Sequence, residues 1–147
     1  MAQGDGVIYN DFKEQAFKKV HDFANDTLKL TLHTGYTPNI DTHQVWADVS
    51  STEYSTAANY TAGGKTLASK TITQDNTNDR AAFDAADVTW TALGPLSPAT
   101  PSHAILWNDT PTSPADPLIA YWVLGTTATN GGDYTLQWGS NGLILLT

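Results

Sequence analysis

Residues 117–147 carry the densest pattern of large apolar side chains in the chain. Residues 117–124 form a nearly continuous apolar run, residues 133–138 alternate between apolar and polar, and residues 142–146 are again continuous. An alternating segment indicates a strand with one face in water, whereas a short continuous run indicates a strand buried on both faces. The turn-forming residues 139–142 predict a hairpin between the last two strands. The chain is therefore predicted to end inside its core, with earlier strands pairing onto this block.

Earlier segments supply the partner strands. Residues 27–33 alternate strictly, which predicts a half-buried strand with its leucines facing inward and His33 facing outward. Residues 65–74 are predicted to form another strand, with a bulge or twist between Leu67 and Ile72 because these two residues have opposite parity. Further short strands are predicted at residues 88–90 and 103–108.

One helix is predicted at the front of the chain, from about residue 11 to residue 24. Phe12, Ala16, Phe17 and Val20 recur at spacings of three and four, which gives the helix one apolar face. This face is predicted to pack across a sheet or barrel end, and a docking helix is the less favoured alternative.

Two other segments are more ambiguous. Residues 42–48 are compatible with a short helix capped by Thr42, and residues 53–60 with a short edge strand. About seven or eight short strands separated by turn signals predict a mainly β protein, an antiparallel β-sandwich or jelly-roll-like domain with one N-terminal helix.

The chain divides into an N-terminal arm, residues 1–10, and a single domain, residues 11–147, which is long enough to bury a core. In the arm, Gly4 and Gly6 provide freedom, and Val7, Ile8 and Tyr9 provide apolar anchors. The arm is expected to lie either on a neighbouring subunit or on its own domain.

The amino-acid composition excludes several classes of partner and of chemistry. The net charge of −8 argues against a nucleic-acid surface or an anionic membrane as a partner, and the low charged fraction of 15% favours burial of surface in an assembly. The absence of cysteine excludes disulfides, thiolate nucleophiles and zinc–cysteine clusters. The sequence shows no signal-peptide pattern, and its longest apolar run is about a third of the ~20 residues that a membrane span needs. We therefore expect a soluble protein made in the cytoplasm.

The residues that most often carry chemistry form no recognisable site. The four histidines, His21, His33, His43 and His103, have no pair at the i, i+4 spacing of a helical metal site, so packing or surface roles are expected. Residues 75–79 resemble a calcium loop, but Arg80 stands where an EF-hand requires glycine, and no glutamate follows Glu53. A hairpin loop is the favoured interpretation. We therefore predict no enzyme activity, no cofactor and no metal.

Several segments resemble a group of small structural proteins from tailed-bacteriophage virions. The resemblance runs from about residue 7 to the C-terminus and is carried by strand and turn signatures at residues 25–30, 36–38, 60–67, 83–90, 118–121, 134–138 and 142–145. Residues 93–101, with three prolines, depart from the shorter strand connection of that group. The resemblance implies a virion structural protein that is assembled in the host cytoplasm.

Two functions follow from this resemblance. The first is a capsid decoration (cement) protein that binds the major capsid protein, bridges capsid subunits and works as a homo-oligomer, with a trimer favoured because capsid lattices present threefold positions. The candidate capsid or subunit contacts are Val7, Ile8, Tyr9, Tyr36, Trp46 and Tyr60. The alternative is a tail-associated fibre, baseplate or receptor-binding module, in which Tyr36, Trp46, Tyr54 and Tyr60 would stack on host sugars. A carbohydrate-active enzyme is a distant third because no carboxylate pair is identifiable.

Overall fold

The computed structural model describes residues 2–54, 58–94, 100–125 and 129–147. The protein is mainly β, with antiparallel sheets and one α-helix, which confirms the predicted fold class. In chain order the elements are β1 (Ala2–Gln3), β2 (Val7–Ile8), α1 (Asn10–Phe17), β3 (Leu28–His33), β4 (Lys65–Thr66), β5 (Thr71–Asp75), β6 (Arg80–Asp84), β7 (Val88–Trp90), β8 (His103–Asn108), β9 (Leu118–Val123), β10 (Tyr134–Trp138) and β11 (Ile144–Leu146). Two 3-10 turns, at Trp46–Asp48 and Ser50–Thr52, lie between β3 and β4.

The largest sheet has five strands in the order β2-β9-β8-β3-β4. The leucines of β3 are fully buried on its inner face, as the alternation predicts. β8 and β9 bury side chains on both faces, in agreement with their continuous apolar sequences. The outward prediction for His33 is wrong, because residues 34–54 cover the outer face of the sheet and leave His33 fully buried.

Two three-stranded sheets, β1-β10-β7 and β11-β6-β5, complete the sandwich. Side chains from both sheets, including Trp90, Leu136 and Ile144, join the inner face of the five-stranded sheet in one apolar core. Earlier strands pair onto the C-terminal block as predicted: β8 pairs with β9, β7 with β10 and β6 with β11.

The predicted hairpin between the last two strands is wrong, because β10 and β11 lie in different sheets. Gly139 and Gly142 form an isolated bridge, and the Leu143 N–H then donates to the Phe83 carbonyl at 2.8 Å, which directs the chain onto β6. The final run is not buried on both faces either. Leu143 and Ile144 are buried, whereas Leu146 is 56% exposed.

The predicted strand at residues 65–74 is divided into β4 and β5, which belong to different sheets. Leu67 is buried and its N–H donates to the Leu28 carbonyl, so the chain stays on the large sheet up to that residue. Ser69 then adopts a φ of 53°, and the chain crosses to β6. The opposite parity of Leu67 and Ile72 therefore marks a change of sheet.

Helix α1 is shorter than predicted. It ends at Phe17, and Lys19 follows with a φ of 58°. The buried helix residues are Phe12 and Gln15, whereas Phe17 is 93% exposed, so the predicted apolar face is wrong beyond Phe12. Early termination places residues 20–24 in a separate segment, which returns Phe23 to the core.

The N-terminal arm lies on its own domain. Its first strand, β1, pairs in parallel with β10, and β2 pairs antiparallel with β9. Between them, the Gly6 N–H donates to the Leu143 carbonyl at 3.2 Å, and the Trp122 indole N–H donates to the Gly4 carbonyl at 2.9 Å. The arm therefore joins all three sheets.

Residues 34–54 form the cover of the large sheet. The predicted helix at residues 42–48 is reduced to the 3-10 turn at Trp46–Asp48. Its N-terminus is held by Asp48, whose carboxylate accepts from the N–H groups of Gln44 and Val45, and not by Thr42. Of the edge strand predicted at residues 53–60, Glu53 makes an isolated bridge to His33, and residues 55–57 lie outside the described part. Residues 95–99 of the predicted proline-rich loop also lie outside it.

Candidate contact surface

An apolar groove of about 590 Å³ lies along one face of the β11-β6-β5 sheet. Ile72 pairs with Phe83, and Phe83 pairs with Ile144, so these three side chains share that face. Ile72 and Leu146 are 59% and 56% exposed, although both are large and apolar. We call this feature the apolar groove; its principal lining residues are Phe12, Phe23, Ile72, Phe83, Ile144 and Leu146.

The opposite wall of the apolar groove is built by aromatic packing. The Phe23 ring stands edge-on to Phe83, with 4.7 Å between ring centroids, and Phe12 contacts Phe23 in the same way at 5.7 Å. These contacts join the two walls through Phe23 and Phe83, so the groove is already formed in the free protein.

The polar groups of the apolar groove are Lys19, His21 and Asp22. Burial lowers the pKa of His21 to about 4, so the ring is neutral at pH 7. The Asn108 amide donates to His21 Nδ1 at 3.1 Å, which places the ring proton on Nε2. That Nε2 atom is buried and has no hydrogen-bond partner among the described residues. Charge is therefore confined to the exposed Lys19 and Asp22, and the groove suits an apolar partner surface.

The three contact residues that the sequence predicts on the arm differ in their exposure to solvent. Val7 is 42% exposed and Ile8 is half-buried, with Ile8 packed against the main core. Tyr9 is fully buried, and its hydroxyl lies 2.8 Å from that of Tyr36. Of the three residues, Val7 alone presents a large side chain to solvent. Val123, on the neighbouring strand β9, is also 67% exposed.

The predicted contacts in the loops are mostly interior. Tyr36 and Tyr60 are only 5% and 8% exposed, because each hydroxyl is used inside the domain. The Leu32 N–H donates to the Tyr60 hydroxyl at 3.0 Å. Trp46 is half-buried and stacks on Trp107 at 4.8 Å between ring centroids. In this structure Tyr9, Tyr36 and Tyr60 therefore lack the exposed surface that a partner contact needs.

Three of the four histidines gather around Tyr36. The Tyr36 ring lies 5.8 Å from His33, 5.5 Å from His43 and 5.2 Å from His103 between centroids. Tyr36 also hydrogen-bonds to His43 Nδ1 at 2.8 Å. This network fastens the cover formed by residues 34–54 to the large sheet. Within the described ranges, no group of three or more histidine, aspartate or glutamate side chains has the geometry to hold a metal ion.

His33 is held as a neutral ring. Its Nδ1 and Nε2 atoms lie 2.9 Å from the hydroxyls of Thr52 and Thr31, respectively. The Thr52 hydroxyl donates to the Val49 carbonyl at 2.9 Å, so it accepts from His33 Nδ1–H. The Thr31 hydroxyl has two acceptors within reach, the unprotonated Nε2 at 2.9 Å and the Ile105 carbonyl at 3.2 Å, and its single proton can serve the nearer one. Burial lowers the pKa of His33 from 6.5 to about 3, which is consistent with this neutral form.

Acid is expected to destabilise the fold through His33. Between pH 6.5 and 3 the unfolded chain binds a proton at this site and the folded protein does not, so the free energy of unfolding should fall by about 1.4 kcal/mol for each pH unit. Above pH 6.5 this contribution is constant. The measurement is urea unfolding of the protein and of His33→Gln between pH 6.5 and 5. Because both chains carry the same carboxylates, the difference between their slopes reports His33, and equal slopes would contradict the assignment.

The calcium-like segment is a hairpin loop, as predicted, and joins β5 to β6. The Asp75 carboxylate accepts from the N–H groups of Thr77 and Asn78 and from Arg80 Nε at 2.9 Å. Hydrogen bonds, led by the one from the Asn78 side chain, lower the pKa of Asp75. The Asp75 carboxylate therefore stabilises the loop in which it lies.

Sequence reasoning misses the apolar groove. The pattern predicts that Ile72 lies on a strand of the core and that Leu146 lies inside a continuous buried run, so neither is expected at the surface. One signal is present in the sequence: Ile72 is flanked by Thr71 and Thr73, with Lys70 and Gln74 beyond them, so this segment has a single large apolar residue on a polar strand.

Comparison with protein-family models, curated proteins and solved structures finds no match for this chain. The resemblance to virion structural proteins therefore stays a prediction. Among the described residues, no helix is both long enough and apolar enough to cross a membrane.

Proposed function

We propose that the chain is a non-enzymatic structural protein of a tailed-phage virion that decorates the capsid by binding the major capsid protein. The observation that carries this proposal is the apolar groove, with Ile72 and Leu146 more than half exposed beside it. Exposed large apolar side chains around a preformed concavity are typical of a surface that another protein covers.

The energetics favour a lattice-bound protein. Covering apolar surface contributes about 25 cal/mol for each Å² removed from water, so a single groove of this size supports a modest affinity. A capsid presents the same site many times, and a homo-oligomer that engages several sites gains affinity without new contacts. A net charge of −8 keeps the free protein soluble until its apolar surface is covered.

The internal chemistry supports a structural role. Tyr36, His33 and His43 are engaged with one another or with neighbouring threonines on the inner side of the cover. The Asp75 carboxylate accepts a hydrogen bond from Arg80, at the end of the same loop. These groups stabilise the fold, and none lines the apolar groove.

The tail-associated alternative has less support. It depends on exposed aromatic side chains that could stack on sugars, and three of the four, Tyr36, Tyr54 and Tyr60, are buried. The fourth, Trp46, already stacks on Trp107. Capsid decoration is therefore the function that the described surface favours.

Purified protein should bind heads that lack it. We expect saturable binding and a rise in the temperature at which heads rupture. Leu146→Glu places a charge in the apolar groove and should weaken binding at least tenfold, since a tenfold loss corresponds to only about 1.4 kcal/mol and an unpaired charge is costly to desolvate. Val123→Glu is the matched control, because Val123 is comparably exposed and apolar but does not line the groove.

Three outcomes contradict parts of this proposal. Equal effects of Leu146→Glu and Val123→Glu would remove the apolar groove from the capsid contact. Binding to tails or host cells, with heads ignored, would replace decoration with the tail-associated function. Both variants should retain the unfolding transition of the parent protein, because both residues are at the surface, and a lost transition would contradict that placement.

A further inference from the structure

One sheet edge is left open where the other edges are short or covered. The edge strand β11 is three residues long, and the residue just before it, Leu143, accepts at its carbonyl from the Gly6 N–H. On β7, the Thr89 carbonyl accepts from Lys65 Nζ at 2.6 Å. The edge strands β1, β2 and β4 are two residues long. Among the described strands, β5 is therefore the longest edge, with five residues.

The register of β5 shows which of its backbone groups face outward. The Phe83 carbonyl of β6 points toward β11, because it accepts from the Leu143 N–H. Its partner on the other side, Ile72, therefore directs its N–H and C=O away from β6, and Gln74 does the same two residues later. Neither backbone has a hydrogen-bond partner among the described residues.

The open edge also lacks the usual protection against strand addition. Residues 71–74 are Thr-Ile-Thr-Gln, all exposed, without charge or proline. Natural edge strands are normally blunted by lysine, proline, a bulge or a covering loop. An edge strand with four uncharged residues in succession and unpaired backbone groups is a template for another strand.

We propose that β5 pairs antiparallel with β5 of a second copy across a twofold axis, joining two β11-β6-β5 sheets into one six-stranded sheet. The favoured register sets Thr73 opposite its own counterpart and Ile72 opposite Gln74 of the other copy. In this register every residue of Thr71–Asp75 has a partner in the other copy. The outward-facing backbones of Ile72 and Gln74 can each donate one hydrogen bond and accept one across the axis.

Charge is compatible with this register. Asp75 stands opposite Thr71, and Lys70 opposite Asn76, so no charged residue of the strand faces a like charge. The central pair of threonines is itself favourable in antiparallel strands. The segment is therefore complementary to a second copy of itself, which favours this occupant over a strand from another protein.

The pairing has a geometric consequence for the apolar groove. A twofold axis normal to a continuous sheet keeps corresponding faces on the same side. Ile72 lies on the groove face, so both apolar grooves would open toward one side of the dimer. If the proposed function holds, this dimer would present two capsid contacts at once and gain affinity by multivalency.

Cysteine cross-linking tests the register, because the natural chain contains no cysteine. Across a non-hydrogen-bonded antiparallel pair the Cα atoms lie about 4.5 Å apart, within the range of a disulfide. Thr73→Cys should therefore form a covalent dimer of twice 15.8 kDa under mild oxidation. Thr71→Cys is the matched control: Thr71 is also exposed and lies on the same face, but the two introduced cysteines would be about 13 Å apart along the strands.

Light scattering of variants without cysteine gives the second readout. The unmodified protein should have the mass of a dimer. Thr73→Lys sets two like charges opposite each other and should yield monomers, whereas Thr71→Lys faces Asp75 and should remain dimeric. A monomer or trimer for the unmodified protein, or equal cross-linking of the two cysteine variants, would overturn the pairing.

The two proposals fail separately. Heads bound by a monomeric protein would refute the β5 pairing and leave capsid decoration standing. A β5-paired dimer that ignores heads would refute decoration and leave the pairing standing. A monomer whose β5 amides become protected from hydrogen exchange only on heads would show that a capsid strand occupies the edge, which also overturns the pairing.

Discussion

Removal of residues 142–147 should abolish cooperative folding. Leu143 is fully buried and Ile144 is 3% exposed, and each contributes about 1.5–3 kcal/mol through burial. The truncation also removes the backbone partner of β6 and the carbonyl that holds Gly6. Unpaired buried groups add to the loss, which then approaches the ~5–15 kcal/mol that stabilises a typical domain. Urea unfolding followed by tryptophan fluorescence and circular dichroism measures the effect.

A shorter truncation serves as the control. Removing only residues 146–147 takes away exposed side chains and the last pair of the β11 ladder, so a loss of about 1 kcal/mol is expected. A protein without residues 142–147 that stays soluble and unfolds at the same urea concentration would show that the core does not depend on β11.

Gly64→Ala should be the most damaging single substitution of a glycine. Gly64 has a φ of 71°, and a Cβ there would lie 2.0 Å from the Leu30 carbonyl oxygen in the buried centre of β3. The left-handed conformation costs an alanine about 1–2 kcal/mol, and the overlap with a backbone that cannot yield adds about 1–3 kcal/mol. We expect the free energy of unfolding to fall by about 2–5 kcal/mol in a denaturant titration.

Gly35→Ala separates the two causes. Gly35 has a similar φ of 65°, but beyond its chain neighbours no atom of the described residues lies within 4 Å of the position that a Cβ would occupy. This variant should lose only the conformational part, about 1–2 kcal/mol. Equal losses for the two variants would mean that the turn at residues 61–64 does not press on β3 as described.

Local sequence pattern predicts the strands well, because most strands bury at least one face. Alternation in β3 and β10 indicates one face of the strand in the core, and the continuous apolar runs in β8 and β9 indicate two buried faces. The same logic fails for His33, because residues 34–54 fold back over the outer face of the sheet and bury it. Burial by a loop leaves no periodic signal in the strand beneath it.

Pairing between strands is harder to predict than the strands themselves. The turn at Gly139–Gly142 has the composition of a hairpin, yet the Leu143 N–H bonds to Phe83 and the chain changes sheet. Composition specifies that a turn occurs, whereas the partner of the next strand is decided by the whole core.

The candidate surface is the least predictable feature. Aromatic residues in loops are often exposed, but Tyr9, Tyr36 and Tyr60 have hydroxyl partners inside the domain that no local pattern reveals. Conversely, Ile72 and Leu146 occupy strands, where apolar residues are usually buried, and their exposure follows from the small size of the β11-β6-β5 sheet.

The copy number and location of the chain in purified virions test capsid decoration most directly. Quantitative mass spectrometry of intact particles, isolated heads and isolated tails measures the chain relative to the major capsid protein. Decoration predicts an amount in fixed proportion to the capsid protein, retained on heads and absent from tails. A few copies per particle, recovered with the tails, would contradict it.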